Sequence, residues 1–369
     1  MDSILYIGTD DGLTVARSSD GRSWEIASRG LTGWGVPGLA VNASTPNQVL
    51  AGTRGDGVWV SEDFGQKWQK PNRGKPGGPA KVRCVTIAPD DPRRIYVGTE
   101  PIDVWESKDL GESWRRMESI WDVPSVPDVF YPAPAVEPHV RQITIDPKNP
   151  KIMYAALQEG YMVKTTDRGE TWRLLNKDFD RDVHAIVLHP ENTDRILIAT
   201  GGGDSRRKQV SGRALYASSD AGENWEPIAM NITQDYSVPM TMNPKNHDIL
   251  YSAAANSQPG MWRREGGAQS TIIRSRDGGK NWEQLERGLG EASKDFSDVI
   301  VVDDLQPERV YAAQRNGDFY FSEDAGDSWA KLDLKVPGVA AMQLIHAEKA
   351  AIDEAQSQAQ PSERSGRPR

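Results

Sequence analysis

SEDAGDSW, residues 322–329, is the last of seven copies of one short motif in this chain. Each copy reads Ser/Thr-x-Asp-x-Gly-x-polar-Trp, and the first copy is one residue shorter. The copies are SSDGRSW 18–24, SEDFGQKW 61–68, SKDLGESW 107–114, TTDRGETW 165–172, SSDAGENW 218–225, SRDGGKNW 275–282 and SEDAGDSW 322–329. Repetition at this spacing indicates an architecture built from copies of one supersecondary unit.

The residue types in the motif suit a tight turn between two strands. Serine and aspartate oxygens accept hydrogen bonds from nearby backbone N–H groups, glycine tolerates a positive φ, and tryptophan fills the space beside the turn. Seven equivalent aspartates in one chain fit a repeated structural element better than seven catalytic groups. We therefore interpret Asp63 and Asp109 as structural.

The spacing of the motif predicts four-stranded propeller blades. Successive motif tryptophans lie 44 residues (Trp24 to Trp68) to 58 residues (Trp114 to Trp172) apart, and a propeller blade needs about 40–50 residues. Within each repeat an apolar strand, a Pro/Asn/Asp turn and a second strand come before the motif, as in ITIDPKNPKIMYAAL, residues 143–157. The third strand then carries the motif and the fourth begins at its tryptophan.

The two ends of the chain predict how the ring closes. Residues 4–24 match strands two, three and four of a blade, whereas the apolar stretch 338–346 matches a first strand without a second. Pairing these ends completes a seventh blade and hides two sheet edges. The prediction is an all-β, seven-bladed propeller with antiparallel blades over residues 1–346. Residues 347–369 are polar and lack aromatics, which predicts a disordered tail, with a short helix near 349–355 as the alternative.

Composition excludes several classes of function. The formal net charge of −9 argues against a nucleic-acid partner. The single cysteine, Cys84, excludes an intrachain disulfide framework. We see neither a signal peptide nor an apolar run long enough to cross a bilayer, so we expect a cytoplasmic protein with no membrane partner.

The seven motifs resemble the BNR or Asp-box repeat of sialidases, glucanase propellers, sortilin-like receptors and photosystem II assembly factors. The resemblance covers residues 1–346 and implies a sialidase-like, glycosyl hydrolase-like propeller fold. Sialidases of this kind carry an Arg-Ile-Pro signature, and no such tripeptide occurs here. Glucanases of this kind have two facing propellers, and sortilin-like receptors have larger rings with cystine-rich modules. The resemblance therefore implies the fold and leaves the chemistry open.

The resemblance places the binding face opposite the motif turns, where the first strands begin. Aligning those strands puts six residues in one column, just before the apolar core: Pro37, Arg83, Arg141, His184, Val238 and Asp298. Two arginines, a histidine and an aspartate predict a site for a carboxylate or a phosphate. The alternative is that these groups pair with one another or with water at the mouth of a tunnel.

Three long insertions are predicted to lie on the same face. The first, residues 117–139, is rich in proline and could act as a lid; the other two fall within 200–214 and 255–270. Aromatic residues beside arginines are a frequent binding composition; the alternative is a solvated loop anchored by one aromatic. The candidate ligand-binding residues in the insertions are Trp121, Tyr131, Arg206, Arg207, Trp262 and Arg263.

These features favour a propeller that binds an anionic small molecule, a glycan or a protein partner. The first alternative is a glycoside hydrolase or lyase at the tunnel mouth, with Asp298 or Glu100 and His184 in acid–base roles. The second alternative is an assembly scaffold. We expect no cofactor, and the five scattered histidines predict no tightly bound transition metal.

Overall fold

The computed structural model describes residues 1–42, 44–72, 77–129, 137–203, 213–290 and 292–359. Twenty-seven strands in these residues form seven antiparallel sheets. The first three sheets, in spatial order, are β27 (Val339–Ala347), β1 (Asp2–Thr9), β2 (Gly12–Ser18) and β3 (Glu25–Gly30); β4 (Gly38–Val41), β5 (Val49–Thr53) and β6 (Gly57–Ser61); and β7 (Val82–Ala88), β8 (Asp91–Thr99), β9 (Val104–Ser107) and β10 (Arg115–Arg116).

The remaining four sheets each keep the order of the sequence. They are β11 (Val140–Ile145), β12 (Met153–Leu157), β13 (Met162–Thr165) and β14 (Arg173–Leu175); β15 (Val183–Leu188), β16 (Ile196–Thr200), β17 (Leu215–Ser218) and β18 (Glu226–Pro227); β19 (Tyr236–Met242), β20 (Leu250–Ala255), β21 (Thr271–Ser275) and β22 (Glu283–Leu285); and β23 (Ser297–Val302), β24 (Val310–Gln314), β25 (Asp318–Ser322) and β26 (Ala330–Lys335). The described helices are α1 (Pro259–Glu265), α2 (Lys349–Ala359) and two 3-10 turns, Glu118–Asp122 and Val126–Asp128.

The seven sheets form a closed ring. The first strand of each blade contacts the first strands of both neighbours, in the cycle β4, β7, β11, β15, β19, β23, β27 and back to β4. Strand β27 pairs antiparallel with β1 from Asp2 opposite Ala347 to Thr9 opposite Val339. The prediction of a seven-bladed propeller whose C-terminal strand completes the first blade is therefore confirmed.

The second blade is the one departure from four full strands among the described residues. After Trp68 the chain meets β6 through a single bridge, in which Val60 and Gln69 exchange backbone hydrogen bonds. Pro71 follows two residues later and has no N–H to donate to the next pair. The outer strand of this blade is therefore reduced to one bridge.

The seven motif turns have the hydrogen bonds that their residues predict. In the third blade the Ser107 hydroxyl accepts from the Gly111 N–H at 2.7 Å, and Asp109 accepts from the Ser113 N–H at 2.9 Å. Gly111 has a φ of +92°, a conformation that costs glycine little. The aspartate is occupied by its own turn, which supports a structural role.

Tyrosines in three of the second strands fasten their blades to the motif turn of the next blade. The hydroxyl of Tyr154 donates to the Ala221 carbonyl at 3.1 Å, and that of Tyr251 donates to the Ala325 carbonyl at 2.8 Å. These hydroxyls lie at the rim of the apolar layers between blades, so each satisfies its polar atom while its ring stays buried. The turns thus also hold neighbouring blades together.

The segment after the propeller differs from the predicted disordered tail. Residues 349–359 form α2, a longer version of the short helix given as the alternative. Ile352 is 1% exposed and packs in the core cluster that contains Tyr6, and Asp353 pairs with Arg17 at 2.6 Å. A single apolar contact and an ion pair order a stretch that composition describes as polar. Residues 360–369 lie outside the described part.

No helix in the described ranges has the length and apolar character needed to cross a bilayer.

Candidate functional site

Backbone hydrogen bonds bring two sequence columns together on the face opposite the motif turns. In most blades the residue after the second strand pairs through its backbone with the residues that lead into the first strand. Thus Glu100 N–H donates to the Lys81 carbonyl at 3.0 Å, and Arg315 N–H donates to the Phe296 carbonyl at 3.1 Å. Side chains from the end of one strand therefore meet side chains from the start of another.

Glu100 joins two arginines from neighbouring blades. Its Oε2 lies 3.1 Å from Arg54 Nη2 and 3.4 Å from Arg83 Nη1. Arg83 also donates from Nη2 to His139 Nε2 at 3.0 Å. The carboxylate is 10% exposed and Arg83 is 18% exposed, so this cluster is largely removed from solvent.

Asp182 links the next two predicted residues. Its carboxylate lies 3.5 Å from Arg141 Nη2 and 3.0 Å from His184 Nε2. The other ring nitrogen of His184, Nδ1, lies 2.5 Å from the Ser237 carbonyl oxygen. His184 is thus fixed between its own blade and the next one.

Asp298 is held by Arg315, which follows the second strand of the same blade. Arg315 Nη2 donates to Asp298 Oδ1 at 2.7 Å, and Arg315 Nε donates to the other carboxylate oxygen. The guanidinium also lies over the ring of Trp262, 5.1 Å from its centroid. Burial raises the pKa of Asp298, and the Arg315 charge opposes that rise.

These clusters form one band across six blades, the second to the seventh, which we call the polar belt. Tyr236 connects its two halves, because its ring contacts those of His184 at 5.1 Å and Trp262 at 5.7 Å. The polar belt consists of Arg54, Arg83, Glu100, His139, Arg141, Asp182, His184, Tyr236, Asp298 and Arg315.

Positive charge exceeds negative charge in one sector of the polar belt. Burial and repulsion from Arg54 and Arg141 lower the pKa of Arg83 to about 10, although Glu100 opposes the shift. Arg141 Nε is buried and has no hydrogen-bond partner among the described residues. A further acceptor in this sector would satisfy that donor and relieve the repulsion.

His139 lies in the same sector as a neutral imidazole. Burial, together with the charges of Arg141 and Arg83, holds its pKa well below the usual range. Because Arg83 donates to Nε2, the ring proton is on Nδ1, which makes no hydrogen bond of normal geometry among the described residues. The imidazole therefore contributes a second buried N–H donor without adding charge.

This buried histidine predicts a loss of stability in acid. In the unfolded chain His139 is protonated as the pH falls below about 6.5, whereas in the folded chain it stays neutral. The free energy of unfolding therefore decreases by up to about 1.4 kcal/mol for each pH unit below that value. Comparing urea denaturation of wild type and His139→Gln from pH 5 to pH 7.5 isolates this contribution. Equal pH slopes in the two proteins would contradict it.

The polar belt suits electrostatic binding better than proton transfer. Both carboxylates proposed for acid–base roles, Glu100 and Asp298, are paired with arginines. Both ring nitrogens of His184 are bonded to acceptors. Groups fixed in this way orient charge, whereas a general acid needs a proton that it can release to a substrate.

The structure brings the predicted column together. Arg83, Arg141, His184 and Asp298 all lie in the polar belt, and Glu100 joins them. In the described part of the chain these four residues form ion pairs with residues outside their column: Arg83 with Glu100, Arg141 and His184 with Asp182, and Asp298 with Arg315. Whether they bind a ligand remains a prediction.

The residues predicted in the insertions are placed differently. The Trp121 indole donates to Asp103 at 3.2 Å and packs against the third and fourth blades. Trp262 is 9% exposed beneath Arg315, and Arg263 is exposed on α1. Tyr131, Arg206 and Arg207 lie outside the described residues.

Five belt residues, Arg54, His139, Asp182, Tyr236 and Arg315, were missed because only one column was aligned. Arg54, Glu100 and Arg315 each come directly after a second strand. Aligning that position as well would have found Arg54 and Arg315. His139 and Asp182 lie one residue before first strands β11 and β15, which is also a repeated position.

A family model gives a partial match. The model described as sortilin, neurotensin receptor 3, matches residues 104–264, which is less than half of the chain. Comparison with curated protein sequences gives no match.

Solved structures with a similar fold include GH74 enzymes and YCF48. An ancestral GH74 enzyme has a TM-score of 0.60 at 18% identity, over 82% of this chain and 39% of that one. The structure of YCF48 bound to D1 peptide has a TM-score of 0.56 at 16% identity, over 84% of this chain and 85% of that one. YCF48 from Cyanidioschyzon merolae has a TM-score of 0.55 at 13% identity, over 84% and 94%. The chain spans about two fifths of the GH74 enzyme, and these likenesses show the propeller fold alone.

Proposed function

We propose that the propeller binds an anionic group, a carboxylate or a phosphate, in the sector of the polar belt around Arg83 and Arg141. The observation that carries this proposal is an excess of cationic donors, of which Arg83 and Arg141 are 18% and 20% exposed and Arg54 is more open to solvent. Three arginines face the two carboxylates Glu100 and Asp182 there, and Asp182 is shared with His184. A bound anion supplies the missing negative charge and accepts from Arg141 Nε.

Small anions test the proposal directly. We expect inorganic phosphate or citrate, at constant ionic strength, to raise the melting temperature in proportion to occupancy. Arg141→Gln should weaken binding at least tenfold, which corresponds to about 1.4 kcal/mol for one charged hydrogen bond. Asp182 keeps its contact with His184 in this variant, so the fold should survive.

Arg22→Gln is the matched control. Arg22 is 64% exposed, lies in a motif turn on the opposite face and pairs with Glu323. This variant should respond to phosphate like the wild type. No thermal shift in the wild type, or the same shift in Arg141→Gln, would overturn the proposal.

The second candidate is that the anionic group belongs to a protein partner. The similar YCF48 structure is described as bound to D1 peptide, and His139, at the end of the 117–139 insertion in the sequence, belongs to the polar belt. Affinity capture with the full chain should then retain one stoichiometric partner that Arg141→Gln loses and Arg22→Gln keeps. If small anions bind and no such partner is retained, the ligand is a small molecule or a glycan.

A further inference from the structure

Ring closure brings three potential metal ligands together on the face opposite the polar belt. Asp303 and Asp304 follow β23, and His346 lies near the end of β27. His346 Nε2 is 2.9 Å from Asp303 Oδ1 and 3.5 Å from Asp304 Oδ1. One ligand atom from each residue lies within 4.8 Å of the others. The residues belong to the seventh and first blades, which meet only because the ring closes.

A hydrogen bond to Ser3 holds the imidazole in an orientation that suits coordination. His346 Nδ1 lies 3.2 Å from the Ser3 hydroxyl, which can donate or accept. Without a metal, Nε2 can donate to Asp303 Oδ1 at 2.9 Å; with a metal, the ring proton lies on Nδ1 and is donated to Ser3, and the Nε2 lone pair is directed at the ion. Histidines that bind metals are usually fixed in this way, through a hydrogen bond of the second ring nitrogen.

Asp303 has a buried oxygen that lacks a donor. Its side chain is 0% exposed, and Oδ1 accepts from the backbone of Leu305 and Gln306 at 2.9 Å each. Oδ2 has no hydrogen-bond partner among the described residues. Burying an ionised oxygen without a partner costs free energy. A bound cation beside Oδ2 would offset that cost.

The equivalent turn in the preceding blade carries an amide where Asp303 carries a second oxygen. Asn243 accepts from its own turn through Oδ1, and its Nδ2 donates to the Pro307 carbonyl of the next blade at 2.8 Å. In Asp303, Oδ1 both accepts from the turn and lies 2.9 Å from His346 Nε2, and Oδ2 has no donor among the described residues. A proton on His346 would neutralise one carboxylate, whereas a divalent cation satisfies both.

We propose that Asp303, Asp304 and His346 bind a divalent transition-metal cation, with Zn²⁺ as the best fit. One imidazole and two carboxylates match Zn²⁺, whereas Ca²⁺ and Mg²⁺ prefer oxygen ligands alone. Asp304 is 67% exposed, so it can move to complete the coordination and leaves room for water. The ion fastens the closing strand to the seventh blade.

Calorimetric titration of the EDTA-treated, dialysed full chain with Zn²⁺ tests the site. We expect one saturable site in the wild type, at least tenfold weaker binding in Asp304→Asn and loss of the site in His346→Ala. Zn²⁺ should raise the melting temperature of the wild type and leave that of Asp304→Asn unchanged. Asp304 is exposed, so its variant should fold even if His346→Ala does not.

His247→Gln is the matched control. The rings of His247 and His189 lie 5.2 Å apart, so this pair of imidazoles is a second place where Zn²⁺ could bind. This variant should keep the wild-type affinity. Absence of saturable binding in the wild type, full affinity in Asp304→Asn, or loss of binding in His247→Gln would overturn the proposal.

Discussion

A chain shortened to end at Pro337 will not form a cooperatively folded propeller. It lacks β27, and β1, all of whose residues from Asp2 to Thr9 are buried, then becomes an open edge. Val339 and Met342, each 3% exposed, belong to the core cluster that joins the first and seventh blades. Each contributes about 1.5–3 kcal/mol by burial, and the lost strand ladder adds to this. The sum approaches the 5–15 kcal/mol that stabilise a typical domain.

A chain that ends at Glu348 is the control for this truncation. It keeps β27 and loses α2, whose main apolar contact is Ile352. We expect a folded monomer whose melting temperature is lower by a few degrees, because roughly 1.5–3 kcal/mol of burial is lost. Size-exclusion chromatography and thermal denaturation by circular dichroism separate the outcomes. A cooperative transition in the shorter chain would show that six blades and an open seventh are stable.

The fold was predictable because each repeat contains the residues that form its own turn. The hydroxyl of Ser107, the carboxylate of Asp109 and the positive φ of Gly111 are local requirements, visible within eight residues. The pairing of β27 with β1 was predictable for another reason, because the four strands of one blade are divided between the two ends of the chain. Both inferences depend on pattern and not on contacts between distant side chains.

The site was predictable only in part, because its chemistry depends on how blades face each other. A column of residues in the first strands located Arg83 and Arg141, but not that Glu100 would bridge Arg83 to Arg54. The sequence also gave no reason to connect Asp303 with His346, since they meet across the ring closure. Helix α2 was predicted only as a short alternative to disorder, because a few apolar residues, chiefly Ile352 and Ala355, anchor a stretch that is otherwise polar.

Arg315→Met should cost the protein about 3 kcal/mol of unfolding free energy, because it leaves the Asp298 carboxylate buried without a cation. Asp298 is 11% exposed, and both of its oxygens are bonded to Arg315. The substitution also removes the guanidinium from the face of Trp262, which adds a smaller loss. Arg315 is 40% exposed, so water reaches the pair and keeps the cost near the lower end for a buried ion pair. Urea denaturation midpoints at pH 7 measure the effect.

The double variant Arg315→Met/Asp298→Asn distinguishes a charge effect from a packing effect. Replacing both partners removes the unpaired charge, so most of the lost stability should return. Lower pH should likewise rescue the single variant, because burial raises the pKa of Asp298 and a protonated carboxyl needs no cation. If the single and double variants unfold at the same urea concentration, stacking on Trp262 is the main contribution of Arg315. Aromatic packing would then be what stabilises the part of the polar belt that contains Asp298 and Arg315. Electrostatic binding of a ligand would be limited to the sector around Arg83 and Arg141.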